Sequence, residues 1–152
     1  MPVFAKRFLI FTGIAALAGA LLHIAIMIGG PTWYDFFGAP EGLVQMARAG
    51  NLRAPVSCLV IATMLSVFAA YAFSGAGLTR RLPLFRLVMA LIAVVLILRG
   101  ILFIPVILFQ PGLLSGICDC RSIDTFIVVT SLLCLAMGTG FALGAIYNRC
   151  SP

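Results

Sequence analysis

The chain has 152 residues, of which 63% are hydrophobic and only 9% are charged, whereas an ordinary soluble domain carries about 25% charged residues. So few charges cannot cover a water-facing surface, and so much apolar side chain cannot be hidden inside one small globule. The net charge of +6 comes from basic residues at the ends of apolar runs, which is the pattern of membrane topology and not of a nucleic-acid surface. Composition therefore argues against a soluble enzyme, a disordered tail and a nucleic-acid-binding module, and it predicts an integral membrane protein whose first partner is the lipid bilayer.

Four apolar stretches are long enough to cross about 30 Å of hydrocarbon as helices. They cover residues 8–28, 56–73, 87–109 and 123–147. A strand in lipid would leave backbone N–H and C=O groups unpaired, so each stretch is predicted to be helical. The expected fold is all-α, a four-helix transmembrane bundle that forms a single domain over residues 1–152.

The first stretch shares some features with a signal peptide. Lys6 and Arg7 precede its apolar run, and Ala18-Gly19-Ala20 resembles a cleavage site. The apolar run nevertheless continues to Ile28, which exceeds the roughly 7–15 apolar residues of a signal peptide. We therefore expect a retained membrane anchor.

The basic residues also predict an orientation. Six lie on the side of the two termini, and three lie on the opposite side: Lys6, Arg7, Arg80, Arg81, Arg86 and Arg149 against Arg48, Arg53 and Arg121. Because positive charge is retained on the cytoplasmic side, both termini are expected in the cytoplasm of a bacterial inner membrane.

The longest outer connection, residues 29–55, has two parts. Its first part holds Trp33, Tyr34, Phe36 and Phe37, which suit the aromatic belt of a membrane interface. Its second part begins with the helix-start signal Pro40-Glu41 and ends with the stop signal Gly50-Asn51. Between these signals, four apolar residues can share one helical face: Leu43, Val44, Met46 and Ala47. The connection therefore predicts a short amphipathic helix at the outer interface.

Small residues predict where the helices touch, because helices in lipid associate by close contact. One such face lies in the first span and contains Ala16, Gly19, Ala20, His23, Met27 and Gly30. The fourth span has a GxxxG match at Gly140 and Gly144. These glycines favour either packing within the bundle or a homodimer seam.

Arg99 is the one basic residue inside a span. A charge at mid-bilayer costs about 2.5–3.5 kcal/mol on insertion scales, so its side chain needs an anion, carbonyl groups or water. The candidate anions are Asp35, Glu41, Asp124 or an anionic ligand. Counting along the spans puts three further polar residues at a similar depth, namely His23, Thr63 and Ser131.

Two interpretations of Arg99 follow. In the first, an ion pair with a loop acid holds the outer loop against the bundle. In the second, Arg99 and His23 form an outward-facing pocket for a polar or anionic head group, with Trp33 and Tyr34 nearby. For His23 alone, a hydrogen bond between helices is favoured over a metal or haem site, so no metal, cofactor or catalytic group is predicted.

The cysteines leave a redox alternative open. Cys118 and Cys120 lie in the outer loop between the third and fourth spans, and Cys58 lies near the outer end of the second. Four-span thiol oxidases of the DsbB type use two outer cysteine pairs, and this chain has one, with a single residue between its members. A disulfide to Cys58 and unreacted thiols are the structural alternatives.

Three segments carry a resemblance to a known group of proteins. They are His23 with Gly29-Gly30-Pro31 and Trp33-Tyr34-Asp35-Phe36-Phe37-Gly38-Ala39, then Tyr71 to Gly77 with Arg81 and Pro83, then Leu98-Arg99-Gly100. Over most of its length the chain resembles small bacterial four-span membrane proteins without an established activity, broadly DoxX-like in architecture. The resemblance implies a bacterial inner-membrane location and draws attention to Trp33, Tyr34 and Arg99.

The leading functional hypothesis is a non-enzymatic inner-membrane protein that binds a partner protein or a lipid-like, anionic ligand around Arg99. No acid pair, nucleophile with its base, or phosphate-binding loop points to an enzyme. The alternatives are a thiol-redox enzyme using Cys118 and Cys120, a small-solute transporter that would need to dimerise, and an immunity protein acting in the envelope.

Overall fold

The structure, a computed structural model, describes residues 2–80, 82–109 and 125–147. Within these ranges the chain is helical and contains no strand. Its helices are α1 Val3–Gly29, α2 Pro31–Phe36, α3 Glu41–Arg48, α4 Arg53–Gly75, α5 Phe85–Phe109 and α6 Thr125–Tyr147. The predicted all-α class is therefore confirmed.

Four of the helices, α1, α4, α5 and α6, are long and apolar enough to cross a membrane. They coincide with the four predicted spans, and the protein is a multi-pass membrane protein. The main differences are at the helix ends, where α1 begins at Val3 and α4 at Arg53. Hydropathy marks only the part of a helix that lies in lipid, so it misses the polar turns that continue the helix beyond it.

The four long helices form two close pairs. α1 packs along α4, and α5 packs along α6. In the first pair, a β-carbon added to Gly13 would lie 2.7 Å from the Phe73 ring. In the second, a β-carbon added to Gly138 would lie 2.7 Å from Ile97 Cγ1 and 3.1 Å from its backbone nitrogen. Small residues thus let the backbones approach closely, as membrane helices require.

The two pairs meet at the end of the bundle where α1 begins, which we call the joined end. Phe68 of α4 packs edge-on against Phe141 of α6, with ring centroids 6.1 Å apart. Gly140 faces Thr12 of α1, and the rings of Tyr71 and Phe85 connect α4 with α5 at 6.4 Å.

Both glycines of the GxxxG match pack inside the molecule. Gly140 lies against α1, and Gly144 lies against Met89 of α5 and Leu9 of α1. The contacts of both glycines therefore agree with packing within the bundle, the first of the two interpretations of this match.

The opposite end carries a cap formed by α2 and α3. The predicted amphipathic helix is confirmed as α3, and its Val44 is 1% exposed. Helix α3 packs on α2 and on the start of α4, so its apolar face is partly covered by protein. Helix α2 was missed by the sequence prediction, because six residues that include three aromatics are too short to show a helical period.

Gly138→Ala tests the close approach of α5 and α6. The added methyl group has no room between Ile97 and the Ala93 carbonyl oxygen, 3.3 Å away, so the substitution should cost about 1–3 kcal/mol by overpacking. Thermal unfolding in detergent micelles measures this loss. The matched control is Gly42→Ala on α3, where nothing lies within 4 Å of the added β-carbon. Equal stability of the two variants would contradict the packing described here.

Candidate functional site

The packed face of α5 remains covered by α6 as far as Gly100, which lies against Leu135 and the Ser131 carbonyl oxygen, but one edge of this face is exposed in the half of the bundle nearer the cap. Ile92 and Leu96 are 5% and 6% exposed, and Arg99 follows them by seven and three residues, the spacing of one helical face. Arg99 is nevertheless exposed. A buried stripe on α5 therefore gives way to an exposed side chain at Arg99, although the adjacent Gly100 is still covered by α6.

The same change occurs on α1. Ala16 and Ala20 are 0% and 2% exposed, and His23 follows them by seven and three residues. His23 is only half-buried. On α1 the less buried His23 thus interrupts the stripe, which is buried again at Ile26 beneath the cap.

The two remaining helices lose cover in the same direction. On α4, Met64 and Ile61 continue the face of Phe68 toward the cap and are 49% and 41% exposed. On α6, Leu133 continues the face of Gly140 and is 45% exposed. We call Ile61, Met64 and Leu133, together with His23 and Arg99, the uncovered faces.

His23 and Arg99 lie at similar levels along the bundle. Leu9 of α1 and Met89 of α5 both contact the position of Gly144, so they mark a common level. His23 lies fourteen residues beyond the first and Arg99 ten beyond the second. At about 1.5 Å per residue, their levels differ by roughly 6 Å.

His23 has its hydrogen bond within its own helix. Its Nδ1 lies 2.8 Å from the Gly19 carbonyl oxygen, which can only accept, so Nδ1 carries the proton that is donated. The sequence predicted a satisfied histidine, but with a partner on another helix. With Nδ1 protonated, the neutral ring presents Nε2 as an acceptor.

The acids considered as partners of Arg99 have other contacts where they are described. Asp35 pairs with Arg48 at 3.4 Å, and both side chains are exposed, so this pair contributes at most about 1 kcal/mol. Glu41 accepts a hydrogen bond from Gln45 Nε2 at 3.3 Å. Asp124 lies outside the described residues.

The two hydroxyl residues predicted at the depth of Arg99 have different surroundings. Thr63 is exposed and donates to the Leu59 carbonyl of its own helix at 2.8 Å. Ser131 is 4% exposed in the seam between α5 and α6, where its carbonyl oxygen faces Gly100. The predicted common depth does not specify which way a side chain points, and the Thr63 side chain is exposed.

Tyr34 forms a second polar feature, inside the cap. Its side chain is 2% exposed, in an apolar cluster with Ile26, Val44, Ala54 and Cys58. Within the described part of the chain, its hydroxyl has no partner that meets the geometry of a hydrogen bond. Burial raises the pKa of Tyr34 to about 12, and the neighbouring Cys58 side chain adds to the rise.

The sequence grouped Trp33 and Tyr34 in one pocket with Arg99, whereas the two aromatic side chains have different surroundings in the cap. Trp33 is 43% exposed, and its indole lies over Gly29 at the end of α1, where a β-carbon would collide with the ring. Trp33 and Phe37 are in ring contact at 5.8 Å. No spacing in the sequence distinguishes the buried aromatic from the exposed one.

Among the cysteines, Cys58 is buried and free, and Cys134 is half-buried and free. A disulfide to Cys58 is thus not formed. Cys118 and Cys120, on which the redox alternative depends, lie outside the described residues. In the parts of the chain that are described, no three His, Cys, Asp or Glu residues come together as a metal site.

Comparison with known proteins does not identify the chain: no protein-family model, curated protein or solved structure matches it.

Tyr34→Phe tests the unpartnered hydroxyl. Leaving a buried polar group without a partner costs about 1–3 kcal/mol, so the variant should unfold in detergent at the same temperature or a higher one at neutral pH. The wild-type protein should also lose stability as the pH rises from 10 toward 12, because the unfolded state ionises at 10.0 and the folded state near 12. Tyr34→Phe should lack this part of the pH dependence. A lower unfolding temperature of Tyr34→Phe at neutral pH would contradict this description, because it would mean that the Tyr34 hydroxyl makes a stabilising hydrogen bond.

Proposed function

We propose that this protein is a non-enzymatic bacterial inner-membrane protein that binds an anionic, lipid-like molecule against the uncovered faces. The observation that carries the proposal is the position of Arg99. It continues the stripe of Ile92 and Leu96 but is exposed near the middle of an apolar helix.

A guanidinium at this depth favours an anionic ligand. It keeps its charge under all physiological conditions. Its planar group of N–H donors matches a phosphate or carboxylate. An amphiphile brings such an anion into the membrane together with its own apolar body.

The apolar side chains of the uncovered faces favour contact with the apolar part of the same ligand. Ile61, Met64 and Leu133 are between 41% and 49% exposed in the half of the bundle nearer the cap. An acyl chain can lie against such side chains by dispersion and apolar contact alone. His23 Nε2 supplies an acceptor for a hydroxyl group of the ligand.

The proposed orientation places both termini in the cytoplasm and the cap on the outer side. Lys6, Arg7, Arg80 and Arg86 then lie on the cytoplasmic side, in agreement with the distribution of positive charge in inner-membrane proteins. The ligand would consequently come from the outer leaflet.

Arg99→Gln tests the proposed binding. In native mass spectrometry of the detergent-solubilised protein, phosphatidylglycerol should bind more tightly than phosphatidylcholine with the same acyl chains. Arg99→Gln should remove that preference with a loss of about tenfold, equivalent to one charge-assisted hydrogen bond. Arg99→Lys should keep part of it.

The matched control is Arg86→Gln at the other end of α5, where the arginine is also exposed. It should leave the preference unchanged. Equal binding of the two lipids by the wild-type protein would overturn the proposal, as would a loss in Arg86→Gln as large as that in Arg99→Gln.

Reporter fusions test the orientation. A fluorescent reporter fused after Ser151 should be active, because that end is expected in the cytoplasm, and an alkaline phosphatase fused after Gly112 should be active in the periplasm. The reverse pattern would refute the topology and, with it, the outer-leaflet source of the ligand.

A further inference from the structure

The cap is joined to α1 through Gly30, whose backbone conformation suits glycine alone. Its φ is 73° and its ψ is −162°, a region that is essentially restricted to glycine and is found at sites where a fold is held under strain. A β-carbon added to Gly30 would meet nothing within 4 Å, so the glycine is needed for the backbone turn and not for close packing. At its other end, the cap is joined to α4 by residues 49–52, which lie outside the helices.

The polar side-chain contact between α2 and α3 holds the two parts of the cap together. Asp35 of α2 pairs with Arg48 of α3 at 3.4 Å. Toward the long helices, the cap presents Tyr34 and Val44, which lie in the apolar cluster that contains Cys58. The contacts that join α2 to α3 are therefore different from those that join the cap to the bundle, so the two short helices can move as one body.

The docked cap buries a hydroxyl group that its surroundings leave unsatisfied. Tyr34 is 2% exposed, and no described residue offers its hydroxyl a hydrogen bond of proper geometry. Beside it is the Cys58 thiol, which is a weak acceptor. Such a group stores strain in a folded protein, and an outward movement of the cap would return the hydroxyl to water or to lipid head groups. The unsatisfied hydroxyl therefore opposes docking.

The apolar face of α3 can be buried in lipid as well as in protein. Leu43 and Val44 pack toward the cluster beneath the cap, whereas Glu41 and Arg48 are exposed. A helix with two such faces binds in the plane of a membrane interface, with its apolar side chains among the acyl chains. Because acyl chains are as apolar as the protein surface that they replace, moving α3 into the interface keeps most of its apolar burial.

We propose that the cap is a lid with two positions. In the first it is docked, as in the structure. In the second it has turned about Gly30, and α3 lies in the adjacent lipid interface. The second position uncovers Cys58 and also Ile26, which lies three residues beyond His23 on α1. The lid therefore controls how far this face of α1 is open at the cap end.

The experiment measures how fast N-ethylmaleimide modifies Cys58 in the full-length protein, in phosphatidylcholine vesicles at neutral pH. Because Cys58 is 5% exposed, it should react only while the lid is open, at a rate proportional to the open fraction. Mass spectrometry follows Cys58 and Cys134 separately, and Cys134, on α6, is the internal reference. All proteins carry serine at the three remaining cysteines: Cys118→Ser, Cys120→Ser and Cys150→Ser.

The vesicles contain no anionic lipid, so the result does not depend on the proposed binding at Arg99. A failure of lipid binding would leave the lid standing, and a failure of the lid would leave lipid binding standing.

Two substitutions should change the modification rate of Cys58 in opposite directions. Gly30→Ala strains the turn of the docked cap and should increase the rate by about fivefold or more. Tyr34→Phe removes the unsatisfied hydroxyl from the docked cap and should decrease the rate by about fivefold or more. The matched control is Gly42→Ala on α3, where the added β-carbon also meets nothing within 4 Å but φ is not positive. It should leave the rate unchanged.

Four results would overturn the proposal. They are no modification of Cys58 in the background protein, a rate in Gly30→Ala that is no higher than in Gly42→Ala, a rate in Tyr34→Phe that is equal to or higher than in the background protein, and a Cys134 rate that rises together with that of Cys58. The last result would indicate a general loosening of the bundle. Because Tyr34→Phe should not destabilise the protein, the test remains decisive even if Gly30→Ala folds poorly.

Discussion

The arrangement of the four long helices depends on the contact between the two helix pairs at the joined end. Phe68 against Phe141 and Thr12 against Gly140 connect α1 and α4 with α6. In lipid no hydrophobic force presses helices together, so they stay associated where small residues allow close contact. Toward the cap these contacts give way to larger, exposed side chains such as Met64 and Leu133.

This asymmetry gives the two ends of the bundle different chemistry. The joined end has a tightly packed core around Leu9, Met89 and Phe141, each 0% exposed, and it suits a purely structural role. The cap end combines exposed apolar side chains with the polar side chains of His23 and Arg99. Polar groups in a membrane span are costly to keep, so their presence at the open end favours a function there.

The cap adds a separate environment on the same side. Its helices cover the ends of α1 and α4 with an apolar layer in which Tyr34 and Cys58 are buried together. This end of the molecule thus combines the exposed Arg99 side chain with a buried apolar cluster around Tyr34 and Cys58.

The sequence by itself determined the class of protein, the four spans and the helix α3. Long apolar runs can satisfy their backbone groups in lipid only as helices, and the pattern of Leu43, Val44, Met46 and Ala47 has a clear helical period. These features are local, so composition and spacing are enough to predict them.

The tertiary structure alone decided which faces are covered. Ile92, Leu96 and Arg99 share one stripe in the sequence, but protein covers only the first two. Tyr34 and Trp33 are neighbours in an aromatic run, yet one is buried and the other is exposed. The physical reason is that burial depends on where a second helix ends or diverges, and the periodicity of one helix carries no information about the position of its neighbours.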